Sequence, residues 1–371
     1  MKPEDIEISL YRHSVPDFVE VETERLYQHM YASASHLEAC GAIDGRTNTY
    51  VVRIDGVVRV VLLFLIEGKQ VRVLNEQIRI DKEEVDRFAK AVFSTFDFVN
   101  LISFPVIEGK ISRLSFPYQQ FHCTQDIVLS LPSTSRKYFD RLGKATRNYI
   151  KRYQARLERC HPSVQFQVYQ KDEASEQQVR DIIALNRARM AVRHKASYID
   201  EAEAERIVKL TMARGMIGVM TIDGKICAGT INYRFGDNYF LKVVAHDPRY
   251  DAHGLGTLCC YHTICACIDR NGREYHFLWG QYEYKYRLLG VQHDLDHCTI
   301  YRSRRHLLQN GRTAIRIAYA GAVYQARSWL LNKARREDHS NLPSILAYRF
   351  LNGLRKLKRF AAGLHAAHKG L

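Results

Sequence analysis

Apolar residues recur with two different spacings along this chain, and the spacing predicts where strands and helices lie. Alternation with a period of two is typical of strands, and recurrence every three to four residues is typical of helices. In the first third, the spacing predicts helices at Val21–Cys40 and Lys82–Phe96. The strands predicted around them are Ile6–Tyr11, Thr49–Ile54, Val57–Ile66, Val71–Ile80, Asn100–Pro105 and Cys123–Leu131.

The middle of the chain opens with a predicted long helix at Arg136–Arg159, which carries its apolar residues as a single stripe. A polar, turn-forming stretch at Pro132–Ser135 separates this helix from the first part. The elements predicted after it are a strand at Ser163–Tyr169, helices at Ala174–Val192 and Asp200–Arg214, strands at 217–222, 226–235 and 238–246, a helix, a strand at Tyr275–Trp279, a short helix and a final strand. This order of elements, β-α-α-β-β-β-α-β-α-β, predicts a mixed α/β domain.

Composition bounds the class of protein. A length of 371 residues favours two or three domains, and a hydrophobic fraction of 46% is enough for a sizeable core. The chain has no run of 18 apolar residues, so we expect no membrane-spanning helix. The N-terminal sequence MKPEDIEISLYRH is acidic and alternating, unlike a signal or transit peptide, and we therefore expect a cytoplasmic protein.

Cysteine and histidine patterns indicate neither disulfides nor a metal. The nine cysteines show no CxxC pair and no regular spacing. Four of them lie within Cys259–Cys267 on one predicted helix, and we interpret them as small buried apolar residues. His293, Asp294, Asp296 and His297 are of metal-ligating types, but they lie in an alternating, strand-like stretch. We expect no bound metal.

The net charge of +15 is concentrated in two places. Residues 302–371 hold fifteen Lys and Arg against only Glu337 and Asp338, which leaves the first 301 residues close to neutral. The predicted helix Arg136–Arg159 is the second basic region, with nine Lys and Arg against two acids. Localised basic helices attract anionic surfaces or substrates. The alternative for Arg136–Arg159 is a solvated charged face.

A strand leads into a glycine-containing turn at His246–Leu258, which opens a helix. This arrangement aims unpaired backbone N–H groups at a phosphate, and Gly254, Leu255, Gly256 and Thr257 would supply them. The edge of the preceding strand near Val244 and Ala245 could pair with an extended amide-containing arm. Such a site suits an acyl-thioester donor, because a nearby backbone N–H could stabilise the oxyanion.

Four stretches together resemble a known family. They are KATRNYIKRYQARLERC at Lys144–Cys160, ALNRARMAV at Ala184–Val192, the hairpin and glycine turn at Met220–Leu258, and FLWGQYEYKYRLLGV at Phe277–Val291. In this order they are similar to the GCN5-related N-acetyltransferase (GNAT) superfamily, and more narrowly to its FemAB-like branch with BioF2-like acetyltransferase domains. The resemblance spans roughly residues 135–302. It implies a GNAT-like fold with a central mixed sheet and, by analogy with FemAB-like relatives, a second, degenerate copy in the N-terminal part.

The resemblance also implies a reaction and candidate residues. Acyl-CoA is the expected donor, with Glu283 as candidate base and Tyr284 or Tyr286 as candidate acid, while Tyr282 is a third possible acid. Lys285 would hold an anionic group or the carbonyl. The residues expected to bind donor are Val244, Ala245, Arg249, His253, Gly254, Leu255, Gly256 and Thr257, and those expected to bind acceptor are Arg147, Lys151 and Gln281. For the tyrosines the alternative is packing, and for Glu283 it is an ion pair with Lys285 or Arg287.

One position departs from the family pattern. The phosphate loop of this fold usually begins with Gln or Arg, where this chain has Asp251. A carboxylate beside a pyrophosphate is repulsive, so Asp251 must point away or the donor must differ. Arg249 or His253 could supply the missing positive charge. FemAB-like relatives include enzymes whose donor is an aminoacyl-tRNA, which keeps that donor open.

The organisation predicted is an N-terminal degenerate GNAT-like domain at 1–131, a catalytic domain at 132–302, and a basic helical extension at 303–371. The extension contains a predicted helix at Thr313–Arg336 and a basic amphipathic segment at 344–364. The segment at 344–364 is predicted either to bind an anionic membrane surface or to act as a solubilising tail. Three function classes follow: an acyltransferase for a small-molecule, glycan or lipid-linked envelope precursor at the inner membrane face; a transferase that uses aminoacyl-tRNA; and a non-catalytic membrane or nucleic-acid adaptor.

Overall fold

One succession of secondary-structure elements occurs twice along the chain. The structure is a computed structural model that describes residues 5–336. The first succession consists of β1 (Ile6–Tyr11), α1 (Phe18–Tyr27), a 3-10 turn (Met30–Ala32), α2 (Ala34–Ala39), β2 (Asn48–Ile54), β3 (Val57–Glu67), β4 (Gln70–Val73), β5 (Ile78–Arg79), α3 (Lys82–Thr95) and β6 (Leu101–Glu108).

The second succession follows β7 (Tyr118–Ser130) and two helices, α4 (Ser135–Arg141) and α5 (Lys144–Cys160). It consists of β8 (Gln165–Gln170), α6 (Glu176–Val192), α7 (Glu201–Arg214), β9 (Gly215–Ile222), β10 (Lys225–Phe235), β11 (Asn238–His246), a 3-10 turn (Pro248–His253), α8 (Leu255–Asp269) and β12 (Glu274–His276). The chain continues with α9 (Glu283–Arg287), β13 (Val291–Tyr301), α10 (Arg304–Gln309) and α11 (Gly311–Arg336).

A single mixed sheet joins the two halves, and they exchange a strand at its centre. Within the described chain the strand order is β1-β2-β3-β4-β6-β13-β7-β12-β11-β10-β9-β8, with β5 beside β6. The late strand β13 lies antiparallel to β6 of the first half, and the early strand β7 lies antiparallel to β12 of the second. The parallel pairs β4–β6 and β11–β12 occupy equivalent places. The fold is therefore the predicted mixed sheet with two tandem GNAT-like halves.

Helices cover both faces of the sheet in each half. In the second half, α6 and α7 pack on one face and contribute Ile182, Ile183 and Ile207 to its core. The opposite face is covered by α8 with α4 and α5, which contribute Leu258, Tyr138 and other buried apolar residues. The buried cysteines Cys259, Cys260 and Cys267 belong to this second core, as the sequence predicted.

Two predicted helices are each broken in the structure. The helix predicted at Val21–Cys40 is divided into α1, a 3-10 turn and α2, because Gln28 ends α1 in the left-handed conformation with φ of 46°. The helix predicted at Arg136–Arg159 is divided into α4 and α5, because Leu142 and Gly143 adopt extended backbone angles. Neither break interrupts the apolar spacing, so the spacing alone could not show it.

Two predicted strands are shorter than expected. The strand predicted at Val71–Ile80 leaves the sheet after Val73, and only Ile78–Arg79 rejoins it, next to the positive φ of Gln77. The strand predicted at Tyr275–Trp279 ends at His276, since Phe277–Trp279 turn away from β11. In both places buried apolar residues follow the end of the strand, Leu74 in the first and Phe277 and Leu278 in the second.

The described chain through Gln309 forms one compact unit, apart from residues 121–123, and α11 belongs to a second unit. The domain limits at 131 and 302 remain predictions. The basic segment at 344–364 lies outside the described residues. Within those residues, no helix combines the length and the apolarity needed to cross a membrane.

Candidate active site

The strands β11 and β12 pair over three residues and then diverge. Their parallel register joins Asn238–Phe240 to Glu274–His276, and no pair follows beyond Phe240 among the described residues. The part of β11 that contains the predicted donor residues Val244 and Ala245 is therefore unpaired on its β12 side. The pairing of an extended amide arm with this edge of β11 remains a prediction.

At both glycines of the turn, neighbouring side chains leave no room for a Cβ atom. Gly254 has φ of +62°, and a Cβ on it would stand 2.2 Å from the hydroxyl of Tyr149. A Cβ on Gly256 would stand 2.8 Å from Nδ1 of His246. The N–H groups of Thr257 and Leu258 bond to the carbonyl of Gly254. The first-turn amides left for an anion are those of Leu255 and Gly256.

The charged residues of the turn are largely engaged with each other. Oδ1 of Asp251 lies 2.7 Å from Nε2 of His246, so this carboxylate has a partner inside the turn. Arg249 donates to both carboxylate oxygens of Asp247, which raises the pKa of Arg249 and lowers that of Asp247. His253 packs against the ring of His161. Neither Arg249 nor His253 presents a free positive charge at the start of α8.

Free positive charge lies instead in a cavity between α5 and α9. This cavity has a volume of about 790 Å³ and is lined by Ala145, Thr146, Asn148, Tyr149, Lys151, Arg152, Glu283 and Arg287. Lys151 and Arg152 have no carboxylate partner among the described residues, and Arg287 lies 3.8 Å from Glu283. Three cations thus face one carboxylate beside the glycine turn. The structure brings together the predicted residues Lys151 and Glu283.

Lys285 is buried and binds backbone carbonyls. Its Nζ donates to the carbonyls of Phe277, Leu278 and Trp279 at 2.8, 3.0 and 2.7 Å. Its exposed fraction is 3%, and burial lowers its pKa to about 8. The ammonium group therefore secures the segment that leaves β12, which is a positioning role compatible with the family pattern.

The other candidates on α9 differ in their access to solvent. The side chain of Glu283 is 83% exposed on the cavity wall. Tyr284 is largely buried, and burial raises its pKa, whereas the hydroxyl of Tyr286 donates to Gln292. Tyr282 is 64% exposed. The exposed pair Glu283 and Tyr282 is the better placed of the candidates to meet a substrate.

Two predicted acceptor residues make contacts within the protein. Arg147 donates to the carbonyls of Asp140 and Leu142, where it secures the break between α4 and α5. Gln281 donates to the side chains of Gln125 and Gln292. Their predicted binding role remains a prediction, and neither residue lines the cavity between α5 and α9.

Arg189 is a candidate that the sequence analysis did not single out. Its Nε is buried without a hydrogen-bond partner within the described chain. Burial, followed by repulsion from Arg193, lowers its pKa, and Tyr282, Tyr284 and Asp251 lie within electrostatic range. Periodicity predicts only that Arg189 is on a helix, whereas its approach to the turn and α9 depends on tertiary packing.

Comparison with known proteins identifies the second half. The sequence model of the family described as "Acetyltransferase (GNAT) domain" matches residues 144–286. The structure of FemX aligns over 82% of this chain and 99% of its own, with a TM-score of 0.61 and 7% identity. A conserved protein of unknown function from Bacteroides thetaiotaomicron aligns over 77% of this chain and 96% of its own, with a TM-score of 0.52 and 15% identity.

No curated protein matches the sequence. At these identities the two structures establish the fold alone, and the domain match concerns residues 144–286. Residues 144–286 therefore match a GNAT acetyltransferase domain, which indicates an acyltransferase, and the chain is similar in fold to FemX.

Proposed function

We propose that the chain transfers an acyl group from acyl-CoA to an amine or hydroxyl of a cell-envelope, glycan or lipid precursor. The observation that carries this proposal is the basic cavity between α5 and α9, whose lining residue Tyr149 lies against Gly254 at the start of α8. A volume of about 790 Å³ is in the range of small-molecule and cofactor sites. Its three cations match the phosphates of such a donor.

The reaction is assigned to residues of the second half. Lys151, Arg152 and the amides of Leu255 and Gly256 hold the donor phosphates. The amide arm lies along the unpaired edge of β11 near Val244 and Ala245. Polarisation of the thioester carbonyl by a backbone N–H favours attack.

Proton transfer completes the reaction. Glu283 takes the proton of the attacking amine or hydroxyl as the new bond to the acyl carbon forms. The carbon–sulfur bond then breaks, and the thiolate receives a proton from Tyr282. The products are the acylated acceptor and free CoA. The family pattern also admits Tyr284 and Tyr286 as the acid, but burial of Tyr284 and the bond from Tyr286 to Gln292 make Tyr282 the better candidate.

The acceptor is proposed to enter on the side of α6. Arg189 there has a buried Nε without a partner in the described chain, while Trp279, Tyr282 and Tyr198 are 62%, 64% and 54% exposed. An unpaired guanidinium suits an anionic group, and exposed aromatic rings suit sugar or lipid surfaces. This combination supports an acceptor that carries a phosphate or carboxylate on a glycan or lipid.

Release of thiol from a panel of acyl-CoA donors tests the proposal. We expect isothermal titration calorimetry to show binding of acetyl-CoA or of a longer acyl-CoA. The affinity should fall at least tenfold in the double variant that combines Lys151→Glu and Arg152→Glu. Lys209→Glu, a charge reversal of an exposed lysine on α7, is the matched control. Absence of binding at millimolar acyl-CoA would reject this donor.

Glu283→Gln separates catalysis from binding. If Glu283 is the base, kcat falls by about 10²–10⁴-fold with little change in donor affinity. Glu158→Gln, at an exposed position on α5, should leave kcat unchanged. An unchanged kcat in Glu283→Gln would remove Glu283 from the mechanism.

An aminoacyl-tRNA is the second candidate donor. Two observations favour it: Arg249 is paired with Asp247 and so is not free to bind a CoA phosphate, and α5 has an exposed basic side. Lys151, Arg152, Arg156 and Arg159 are all exposed on that helix, as expected of an RNA-binding surface. Filter binding of charged tRNA, measured against salt concentration, distinguishes the donors. A steep fall in affinity with salt, together with no acyl-CoA binding, would favour the tRNA donor.

We further propose that the segment at 344–364 brings the enzyme to an anionic membrane surface, in line with a lipid-linked acceptor. The support is its basic amphipathic sequence. The full chain should pellet with vesicles that contain phosphatidylglycerol, and a chain ending at Ser340 should not. Equal pelleting of both would reject this role.

A further inference from the structure

Three successive carbonyl groups after β12 point at one buried ammonium group. Nζ of Lys285 donates to the carbonyls of Phe277, Leu278 and Trp279 at 2.8, 3.0 and 2.7 Å. Leu278, in the middle of this segment, has φ of +57°, in the left-handed region that a leucine rarely adopts. The backbone therefore turns at Leu278, and Lys285 holds the peptide units on both sides of the turn.

The N–H groups of the same peptide units point away from Lys285. Every peptide bond between described residues is trans. In a trans peptide unit the C=O and N–H bonds point in opposite directions. Each carbonyl shares its peptide unit with the N–H of the next residue, so the N–H groups concerned are those of Leu278, Trp279 and Gly280. Their directions are fixed by the contacts that Lys285 makes with the carbonyls.

The N–H group of Leu278 is directed toward the side of β12 on which β11 lies. The N–H of Phe277 bonds to the carbonyl of Ile127 on β7 at 2.8 Å. In a strand, the N–H and C=O of one residue face the same neighbouring strand, so those of the next residue face the other neighbour. That neighbour is β11, whose pairing with β12 ends at Phe240 and His276. The N–H of Leu278 thus faces the place where the two strands diverge.

This N–H group has no hydrogen-bond partner within residues 5–336. Leu278 is only 6% exposed, whereas the next residue, Trp279, is 62% exposed and open to water. Buried backbone N–H groups are nearly always paired, because a donor that loses water without gaining a partner costs free energy. An unpaired donor at the divergence of two strands suits an oxygen atom of a ligand.

The charge of Lys285 strengthens this donor. Burial lowers the pKa of Lys285 to about 8, while Asp126 favours its charged form, so the ammonium group is mostly protonated at pH 7. A hydrogen bond from a cation to a carbonyl polarises the peptide unit, which makes the N–H of that unit a stronger donor. Lys285 therefore both fixes and polarises the peptide unit that contains the N–H of Leu278.

We propose that the N–H of Leu278 holds the oxygen of the thioester carbonyl during acyl transfer, with Lys285 as its positioning residue. When the nucleophile bonds to the acyl carbon, an electron pair of the C=O bond moves to the oxygen, and the N–H stabilises this oxyanion. The C=O bond then re-forms as the carbon–sulfur bond breaks. The inference rests on the proposed function, in which the donor arm lies along β11.

Replacement of Leu278 by its α-hydroxy analogue, introduced into the full-length chain by nonsense suppression, tests the proposal. This replacement exchanges the N–H for an oxygen atom and keeps the side chain. We expect kcat to fall about 10²–10³-fold, with little change in KM for acyl-CoA.

The matched control is the same replacement at Trp279. Both replacements weaken a carbonyl that Lys285 binds, that of Phe277 in the first and that of Leu278 in the control. Only the first removes the N–H that faces β11. The control should therefore leave kcat nearly unchanged, and circular dichroism verifies the fold of both variants.

Infrared spectra of bound acetyl-CoA with ¹³C at the carbonyl carbon give a second measurement that needs no turnover. The carbonyl band should lie at lower frequency on the unchanged protein than on the Leu278 variant, because a hydrogen bond weakens the C=O bond. The same band on both proteins, or the same kcat, would overturn the proposal and assign the oxyanion to an amide of β11.

A failure of the proposed donor is distinguishable from a failure of this inference. If the unchanged protein binds no acyl-CoA, the donor is rejected, and both variants are assayed with aminoacyl-tRNA, whose ester carbonyl needs the same stabilisation. A selective loss of rate in the Leu278 variant would then support the inference with that donor. Equal rates in the two variants and the unchanged protein would overturn it.

Discussion

Lys285 holds three successive carbonyls in the segment where the chain leaves β12. Lys285→Met would leave these buried groups without their donor, so we expect a loss of about 3 kcal/mol in the free energy of unfolding. Urea unfolding measures it. Lys209→Met, on the exposed side of α7, should change stability by less than about 0.5 kcal/mol. A stable but inactive Lys285→Met variant would contradict the positioning role and assign the ammonium to the reaction.

His36 provides a pH-dependent contribution to stability. Burial, with repulsion from Lys242 and His29, lowers its pKa from 6.5 to about 4. The unfolded chain therefore binds more protons at this site between pH 4 and 6.5, and stability falls as the pH is lowered through that range. From pH 7 to pH 5 we expect His36 to remove about 2 kcal/mol from the free energy of unfolding.

Urea unfolding of His36→Phe at both pH values isolates this contribution. The variant should lose about 2 kcal/mol less than the unchanged protein on going from pH 7 to pH 5. His122→Phe, at an exposed position on β7, is the control. The same pH dependence in His36→Phe and the unchanged protein would contradict the assignment.

At the scale of elements, the glycine turn depends on contacts that the motif does not show. The sequence motif predicts that Gly254 and Gly256 lie at a helix start, where the backbone could approach phosphates. The structure adds that Tyr149 and His246 occupy the space that a Cβ would need. The motif was recognisable because it is local, whereas these neighbours come from other elements.

Gly254→Ala should lower the free energy of unfolding by about 2 kcal/mol, because Gly254 has φ of +62° and a Cβ would meet the Tyr149 hydroxyl at 2.2 Å. Gly143→Ala is the matched control, since its φ is −58° and the space around it is open. It should stay within about 1 kcal/mol of the unchanged protein. Thermal unfolding distinguishes the two. Equal stability of both variants would contradict this account of the turn.

Helix and strand lengths were less predictable than their order. The apolar spacing continues through Leu142–Gly143 and through the segment after Val73, although the backbone changes direction at both places. The spacing of apolar residues indicates which residues are buried, but it does not indicate the backbone angles of single residues. This is why the order of elements was confirmed and four of their predicted extents were wrong.

At the scale of the molecule, the exchange of β7 and β13 makes the halves interdependent. Residues 132–302 alone would lack β7 beside β12 and β6 beside β13. They would also expose the apolar surface of Cys298 and Ile300. We therefore expect this fragment to aggregate or to show no cooperative unfolding, whereas residues 1–309 should unfold cooperatively. Circular dichroism and amide hydrogen exchange measure this. A cooperatively folded fragment would contradict it.

The sequence by itself determined the order of elements, the mixed α/β class, the resemblance to the GNAT superfamily and the position of the glycine turn. Each of these is encoded in residues close together in the chain, where spacing and local motifs carry the information. The tertiary structure alone decided the strand exchange, the cavity between α5 and α9, the partners of Arg249 and Lys285, and the buried cluster of two histidines and an aspartate. His29, Asp126 and His276 are far apart in the chain, and only the packing of distant strands brings their side chains within reach.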